Sequence, residues 1–427
     1  MSMRLLAAFA ALALVSCAPP APPAPSLNAL AEQYVRASLE MGTHEDGYID
    51  AYYGPPQWKT EAEAHPRTTA QLKAAMDQLH TQVEAAEHAA IDPAVRRRAH
   101  TLAAYVASAR YRLDMMDGAR APFADEAEHL FALRPEIRPL SYYDAVLARV
   151  ESMVPGAGDL ATRVEALRNR YIIPRARLEA VMNAAINECR RRTLAHIPLP
   201  QSEHFALTFV NHQSWSAYNY YHGANQSEIQ VNTDQPIAIN RAVGLGCHEG
   251  YPGHHVQGIY AEKLYRENGY VESSIAPLFS PQGPLNEGGG NYGVELAFPG
   301  QEKLQFEQVT LYPLAGLNPA TAPAFDALND AMKELDGARL TIAQQYLDHQ
   351  ISRDQAIALI AHYQLVSRDR AAQAVAFIDH YRSYVINYVS GEDLIRAYAN
   401  RQGADNDAHW RVYISILSQP TLPSDLQ

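Results

Sequence analysis

Apolar positions recur at helical spacing through most of the chain beyond residue 26. In "SLNALAEQYVRASLEMG" (26–42) they fall three and four residues apart, with Ser26 as a possible N-cap and Gly42 closing the run. "DPAVRRRAHTLAAYVASARYRLDMMDG" (92–118) predicts the clearest helix. Asp92 is its N-cap, Pro93 takes the first helical position and Gly118 follows its end. Leu102, Tyr105, Ala109, Leu113 and Met116 lie on one face. The run 351–391 is helical again and opens on a Ser352…Gln355 capping-box pattern. The pattern changes ahead of residue 240. "FALTFVN" (205–211), "SWSAYNYYHG" (214–223) and "SEIQVNTD" (227–234) are rich in aromatic and β-branched residues, with turn residues between them. They predict a small sheet, after which "DQPIAINRAVGLGCHEG" starts another helix. The pattern as a whole predicts a mainly α fold with a small β-sheet beside one helix. "HEDGYIDAYYGPPQW" (44–58) interrupts the helical pattern and reads as a packed loop. Its His44-Glu45 pair has no second His at ligand spacing.

The N-terminus has a different pattern. Arg4 precedes an apolar stretch, 5–15, that is too short to span a bilayer. It runs into "LVSC" (14–17), which resembles the lipobox of bacterial lipoproteins. That resemblance implies cleavage before Cys17, a lipid on its thiol, and membrane anchoring in the bacterial cell envelope, on the periplasmic or outer-surface side. "APPAPPAP" (18–25) then serves as a Pro-rich tether. The remaining chain divides coarsely into an N-terminal helical region, 26–160, and a catalytic region, 161–427.

Charge narrows the partners. The formal net charge is −12 over 427 residues, which argues against nucleic acid or an anionic membrane surface. The short clusters "RRRAH" (96–100) and "RRRT" (190–193) fit solvated helix faces. With Cys17 lipidated, Cys189 and Cys247 remain. They could pair in an oxidising compartment. The preferred reading of the residues alone is two inert core thiols.

The densest chemistry is "GLGCHEGYPGHHVQG" (244–258). A zinc hydrolase needs three protein ligands, an open position and a base beside the attacking water. H-E-x-x-H supplies two ligands and the base on one helical face. Here the spacing is longer. On an unbroken helix His254 would turn about 600° from His248 and point away; His255 would return to its face about 10.5 Å further along. Gly250, Pro252 and Gly253 are therefore informative. Pro252 kinks the helix and Gly253 permits unusual dihedrals, so a distorted helix can bring His254 beside His248. The third ligand is expected from "GPLNEGGGNYGVELAF" (283–298), as Glu287 with Glu295 as fallback. Three consecutive glycines are costly in a helix and need a reason, such as close backbone packing under a site.

The chain resembles the bacterial domain-of-unknown-function family 885, whose members look like lipoproteins and are classed as zinc-metallopeptidase relatives. The family pattern H-E-x-x-P-G-H-H is matched by "HEGYPGHH" (248–255). "NEGGGNYGVEL" (286–296) matches its Glu-Gly helix and "YRSYVINYVSG" (381–391) its Tyr-rich closing segment; "GYIDAYYGP" (47–55) is similar to one branch. After Glu-Gly the family more usually continues Trp-Ala-Leu-Tyr, so the glycine run departs from it. The resemblance implies a helical zincin-like metallohydrolase. His248, His254 and Glu287 would be the Zn2+ ligands and Glu249 the general base, with His255 in reserve. Tyr384 and Tyr388, four residues apart, are candidates for stabilising an oxyanion, and Arg382 for meeting a substrate carboxylate.

The expected function is a lipid-anchored zinc-dependent metallopeptidase acting on short peptides or a small amide. Two alternatives stay open: a zinc esterase or non-peptide amidase, and a noncatalytic envelope lipoprotein.

Overall fold

The computed structural model describes residues 25–213 and 215–427. The expected signal segment, the expected lipidation position Cys17 and the expected tether as far as Ala24 lie outside the described residues. The described chain is mainly helical, with two small sheets. Among the described residues no helix is long and apolar enough to cross a membrane.

The helices form where cap and stripe coincide. Leu27–Met41 starts on Ser26, whose hydroxyl accepts from the Ala29 amide at 3.3 Å. Pro93–Met116 starts on Asp92, whose carboxylate accepts from Ala94 at 2.7 Å. Its buried stripe holds Leu102, Tyr105, Ala109 and Leu113, with half-buried Met116 packed against the same core and Met115 buried beside it. Arg98 departs from the solvated-face reading of its cluster. It is buried and forked onto Glu272 at 2.6 and 2.7 Å.

Two cores result. One joins the N-terminal helices to distant residues, including Ile275, Phe279, Leu340 and Tyr384. The other runs from Tyr143 through Ile186, Val243 and Leu296 to Trp410.

The predicted sheet is present as β2 (His204–Val210), β3 (Ala217–Gly223) and β4 (Gln226–Asn232), in the order β2-β4-β3. β4 is central, parallel to β2 and antiparallel to β3, with Leu207 opposite Ile229 and Tyr218 opposite Gln230.

Two expectations need correction and one is refined. The 44–58 segment is not only a loop: β1 (Ile49–Tyr52) pairs antiparallel with β5 (Ile275–Pro277), and helix Pro56–Ala64 follows. The 351–391 run is helical as expected, in several pieces. It breaks at Leu365 and Arg382, both at positive φ, into Arg353–Tyr363, Arg368–Tyr381, a 3-10 turn Arg382–Val385 and Ile386–Gln402. The Ser352–Gln355 capping box is formed in both directions. Finally, Cys189 and Cys247 are not separate thiols but a disulfide, with Cα atoms 5.4 Å apart. Helix Arg175–Leu194 comes this close to the 246–250 turn because Gly246 presents no side chain, and a Cβ there would sit 3.2 Å from Ile186.

Candidate metal centre

The turn carrying His248 is an interrupted helix rather than a kinked one. Helix Asn240–Leu245 widens into a π turn, Gly246–Gly250. Such turns re-aim a side chain within a helix. The chain leaves helical dihedrals at Tyr251, passes a cis Tyr251–Pro252 bond and starts a new helix, His254–Arg266. Gly253 closes the join. Its amide donates to the Cys247 carbonyl at 3.0 Å, and a Cβ on it would lie 1.8 Å from the His248 carbonyl oxygen. Only glycine lets these backbones touch. The imidazoles of His248 and His254 consequently sit edge to face, with centroids 4.6 Å apart.

Glu287 comes in from helix Gly283–Ala297. Its Oε2 lies 3.4 Å from His248 Nε2 and 3.8 Å from His254 Nε2. One ligand atom from each of the three residues lies within 4.8 Å of the other two. The glycine run explains how the helix fits there. A Cβ on Gly288 would lie 2.2 Å from the Gly391 carbonyl carbon, and one on Gly290 would lie 2.8 Å from His248 Nδ1. Bare backbone on one side admits helix Ile386–Gln402; on the other it leaves room for the first imidazole.

Two amides orient the imidazoles. His248 Nδ1 is 3.0 Å from Asn291 Oδ1, and Asn291 Nδ2 donates to the Tyr388 carbonyl at 3.0 Å. His254 Nδ1 is 2.8 Å from Gln257 Oε1, and Gln257 Nε2 donates to the Asn286 carbonyl at 2.9 Å. A backbone carbonyl only accepts, so each amide must turn its NH2 toward it and its oxygen toward the histidine. Each Nδ1 must then carry the proton. The Nε2 atoms face a carboxylate oxygen, and three acceptor atoms converge on one point. That arrangement asks for a proton or a cation between them, and fixing the far nitrogen is how metal-binding histidines are held. Without a cation, a proton takes the place. Burial opposes charging His248, but hydrogen bonding and charge from Glu287, with the charge of Glu249, outweigh it and push His248 up to about 9. Burial would raise Glu287, yet the two histidines and Tyr384 hold it below the usual carboxylate range.

Tyr384 joins the group directly. Its hydroxyl donates to Glu287 Oε1 at 2.7 Å, and the Tyr388 ring packs on it with centroids 5.9 Å apart. Burial, then the charge of Glu287, pushes both phenols well above their ordinary value. Glu249 is buried, and its main-chain carbonyl is bonded by Asn219 Nδ2 at 2.7 Å, which ties β3 to the turn. His248 and His254 retain 14% and 24% of their side-chain exposure, so solvent reaches the point of convergence.

The reserve residues lie elsewhere. His255 faces away and is fully buried, with Nδ1 2.7 Å from Ser227 Oγ and Nε2 3.1 Å from Glu203. Consecutive helical residues point about 100° apart, so only one of the pair can look at the site. Glu295 is held by Arg396 at 2.9 Å. Arg382 is not available to a substrate carboxylate, because it pairs with buried Glu126 at 2.7 Å. The residues themselves did not single out Asn291, Gln257, Asp50 or Tyr218. Tyr218 of β3 donates to Asp50 of β1, and the Asp50 carboxyl, raised by burial, feels the charges of His254, Glu287 and Glu249. The one available signal was the "GYIDAYYGP" match, which carried no role for Asp50.

No family model and no curated protein matches the chain. Solved structures do. A candidate lipoprotein of Colwellia psychrerythraea superposes with a TM-score of 0.51 at 15% identity, over 84% of this chain. The chain spans 62% of that protein's length. A candidate lipoprotein of unknown function from Shewanella oneidensis gives 0.44 at 12% identity, covering 86% of this chain and 74% of its own. The M32 carboxypeptidase of Deinococcus radiodurans gives 0.42 at 12%, with 93% and 92% covered. At these identities the likeness concerns fold alone.

Proposed function

We propose that the protein is a zinc-dependent metallopeptidase of the cell envelope, related to family 885 and anchored by lipid on Cys17. The carrying observation is the convergence of His248 Nε2, His254 Nε2 and a Glu287 oxygen, with both far nitrogens committed to amide oxygens. Two imidazoles and one carboxylate are the donor set that suits Zn2+ and leaves a position open for substrate. When bound, zinc supplies Lewis acidity toward a carbonyl and toward water. The chain's own groups do the rest. Glu249, next to a ligand and buried, accepts the proton of the attacking water and passes it to the leaving amine. Tyr384, fully protonated at neutral pH, turns its hydroxyl from Glu287 toward the oxygen that gains charge. β3 is an edge strand and offers main-chain groups to an extended peptide. The Cys189–Cys247 bridge accords with an oxidising compartment.

The test is metal analysis of the purified protein beside a peptide-library digest with and without chelator. About one zinc per chain and chelator-sensitive cleavage support the reading. Absence of stoichiometric metal, or cleavage indifferent to chelator, removes it.

A further inference from the structure

The three-stranded sheet has a second free edge. β2 pairs only with β4, in unbroken register over all seven residues. Among the described residues, two main-chain bonds reach it from outside that ladder, and both lie at its ends: His204 donates to the Asn225 carbonyl at 3.0 Å, and Thr233 to the Val210 carbonyl at 2.9 Å. No residue of β2 is buried. Its sequence, "HFALTFV", holds no proline, no lysine and no bulge, the devices that ordinarily blunt an open edge. Main-chain groups are thus left open along a regular strand.

A groove runs beside this edge. Its cavity of about 440 Å³ is within the size range of ligand sites. Phe205 and Leu207 of β2 line it, and Tyr251 forms its floor, with its ring centroid 5.7 Å from that of Phe205. The facing wall is helix Arg175–Leu194, which presents Glu179, Asn183 and Asn187. These recur every four residues and so share one helical face. The wall is fixed to the floor. The Cys189–Cys247 bridge and the close approach of Gly246 to Ile186 join the helix to the turn that carries Tyr251.

The wall's polar groups have no partner within the fold. Among the described residues, none of Glu179, Asn183 and Asn187 makes a side-chain hydrogen bond or ion pair. Solvated side chains are often unpaired; what marks these is their spacing. Four helical residues rise about 6.0 Å, and two strand residues about 6.7 Å. Asn183 and Asn187 therefore meet alternate peptide units of a strand laid along β2, each with donors and an acceptor to offer. The groove's arginine is already used. Arg190 donates to Glu203 Oε1 at 2.7 Å, and the Tyr251 hydroxyl donates to Oε2 of the same carboxylate. Glu179 remains as an unpaired, exposed carboxylate at one end of the stripe. A sugar ring would need an open aromatic face, whereas half-buried Phe205 stands edge to face with Tyr251.

We propose that this groove docks an extended segment of a partner protein, added to β2 as an outer strand, with a Lys or Arg of the partner at Glu179. Docking here requires neither metal nor peptidase chemistry.

The experiment selects random heptapeptides displayed on phage against the full chain, with a zinc chelator present. Proline-free peptides carrying Lys or Arg are expected to be enriched. Synthetic copies are expected to lose at least about 10-fold in affinity toward the double variant Asn183→Ala/Asn187→Ala, the weight of two hydrogen bonds. Glu179→Lys is expected to reject the same peptides and to select acidic ones instead. Methylating alternate peptide nitrogens is expected to abolish binding for one set of nitrogens and spare it for the other. Melting curves check that each variant folds, and Glu179→Lys, at an exposed position, provides a test apart from the double variant. No enrichment overturns the groove, as does affinity unchanged in both variants. Tolerance of methylation on both sets overturns the strand geometry. Binding weakened by Glu287→Gln instead makes the peptides ligands of the metal centre. Self-association of the chain that the Asn variant abolishes makes the occupant a second copy. Either of these last two results overturns the partner assignment.

Discussion

A Cβ atom on Gly253 would lie 1.8 Å from the carbonyl oxygen of His248, so the two backbones meet with no room for a side chain. The approach positions both imidazoles at once. Gly253→Ala is therefore expected to leave the distant helices folded while lowering zinc affinity by at least about 100-fold, beyond the cost of disturbing an outer-shell partner. Circular dichroism with a competitive zinc chelator reads both. Wild-type affinity in a folded variant would contradict it.

Ligand and reserve should separate cleanly. His248→Ala, His254→Ala and Glu287→Gln are each expected to abolish stoichiometric metal. His255→Ala is expected to keep metal and lose stability instead, because it leaves Glu203 and Ser227 without their buried partner. Metal content and melting temperature on the same four proteins decide it.

Glu249→Gln keeps the shape of the side chain and removes its basicity. The expected protein folds, binds zinc as the parent does and loses at least about 100-fold in kcat on any accepted peptide. Loss of zinc together with activity would make Glu249 a ligand or a structural residue.

Glu203 gives a pH signature. Burial alone would raise its carboxyl, but bonds from His255, Tyr251 and Arg190 lower it to about 2 from the ordinary 4.5. A carboxylate depressed in the folded state adds stability above its unfolded value, and that contribution fades as pH falls from about 4.5 toward 2. Glu203→Gln should cost on the order of 2 kcal/mol at pH 7, and its melting curve should converge on that of the parent near pH 2. A gap that stays constant with pH would rule this out.

The Cys189–Cys247 bridge closes a loop with a sequence separation of 58. Its removal by paired Ser substitution is expected to cost about 2–4 kcal/mol. Because Cys247 adjoins His248, zinc affinity should weaken as well. Denaturant titration under oxidising and reducing conditions measures the first effect.

What the sequence exposed and what it hid follow from distance along the chain. His248 and His254 stand six residues apart, and the Pro-Gly between them announces the break, although the breadth of the interruption was not visible. Glu287 was reachable because the costly glycines beside it needed a cause. β1 was hidden: four residues without alternation pair with a strand more than 220 positions later. Asp50 and Tyr218 went with it. Asn291 and Gln257 are ordinary polar residues on helices until the carbonyls opposite them are known. The pairing of Cys189 with Cys247 depends on two helical segments meeting, which no local pattern encodes.

The amide that orients His248 is anchored on the carbonyl of Tyr388, and the one that orients His254 on that of Asn286. The carboxylate Glu287 is in turn bonded by Tyr384. Loading of the site thus samples four separate stretches of chain together: the 246–257 turn, the glycine helix, the 3-10 turn and the helix after it. Metal occupancy becomes a readout of completed assembly. In a ribosome-display or refolding series, zinc uptake is expected to begin only once the segment through Tyr388 has docked.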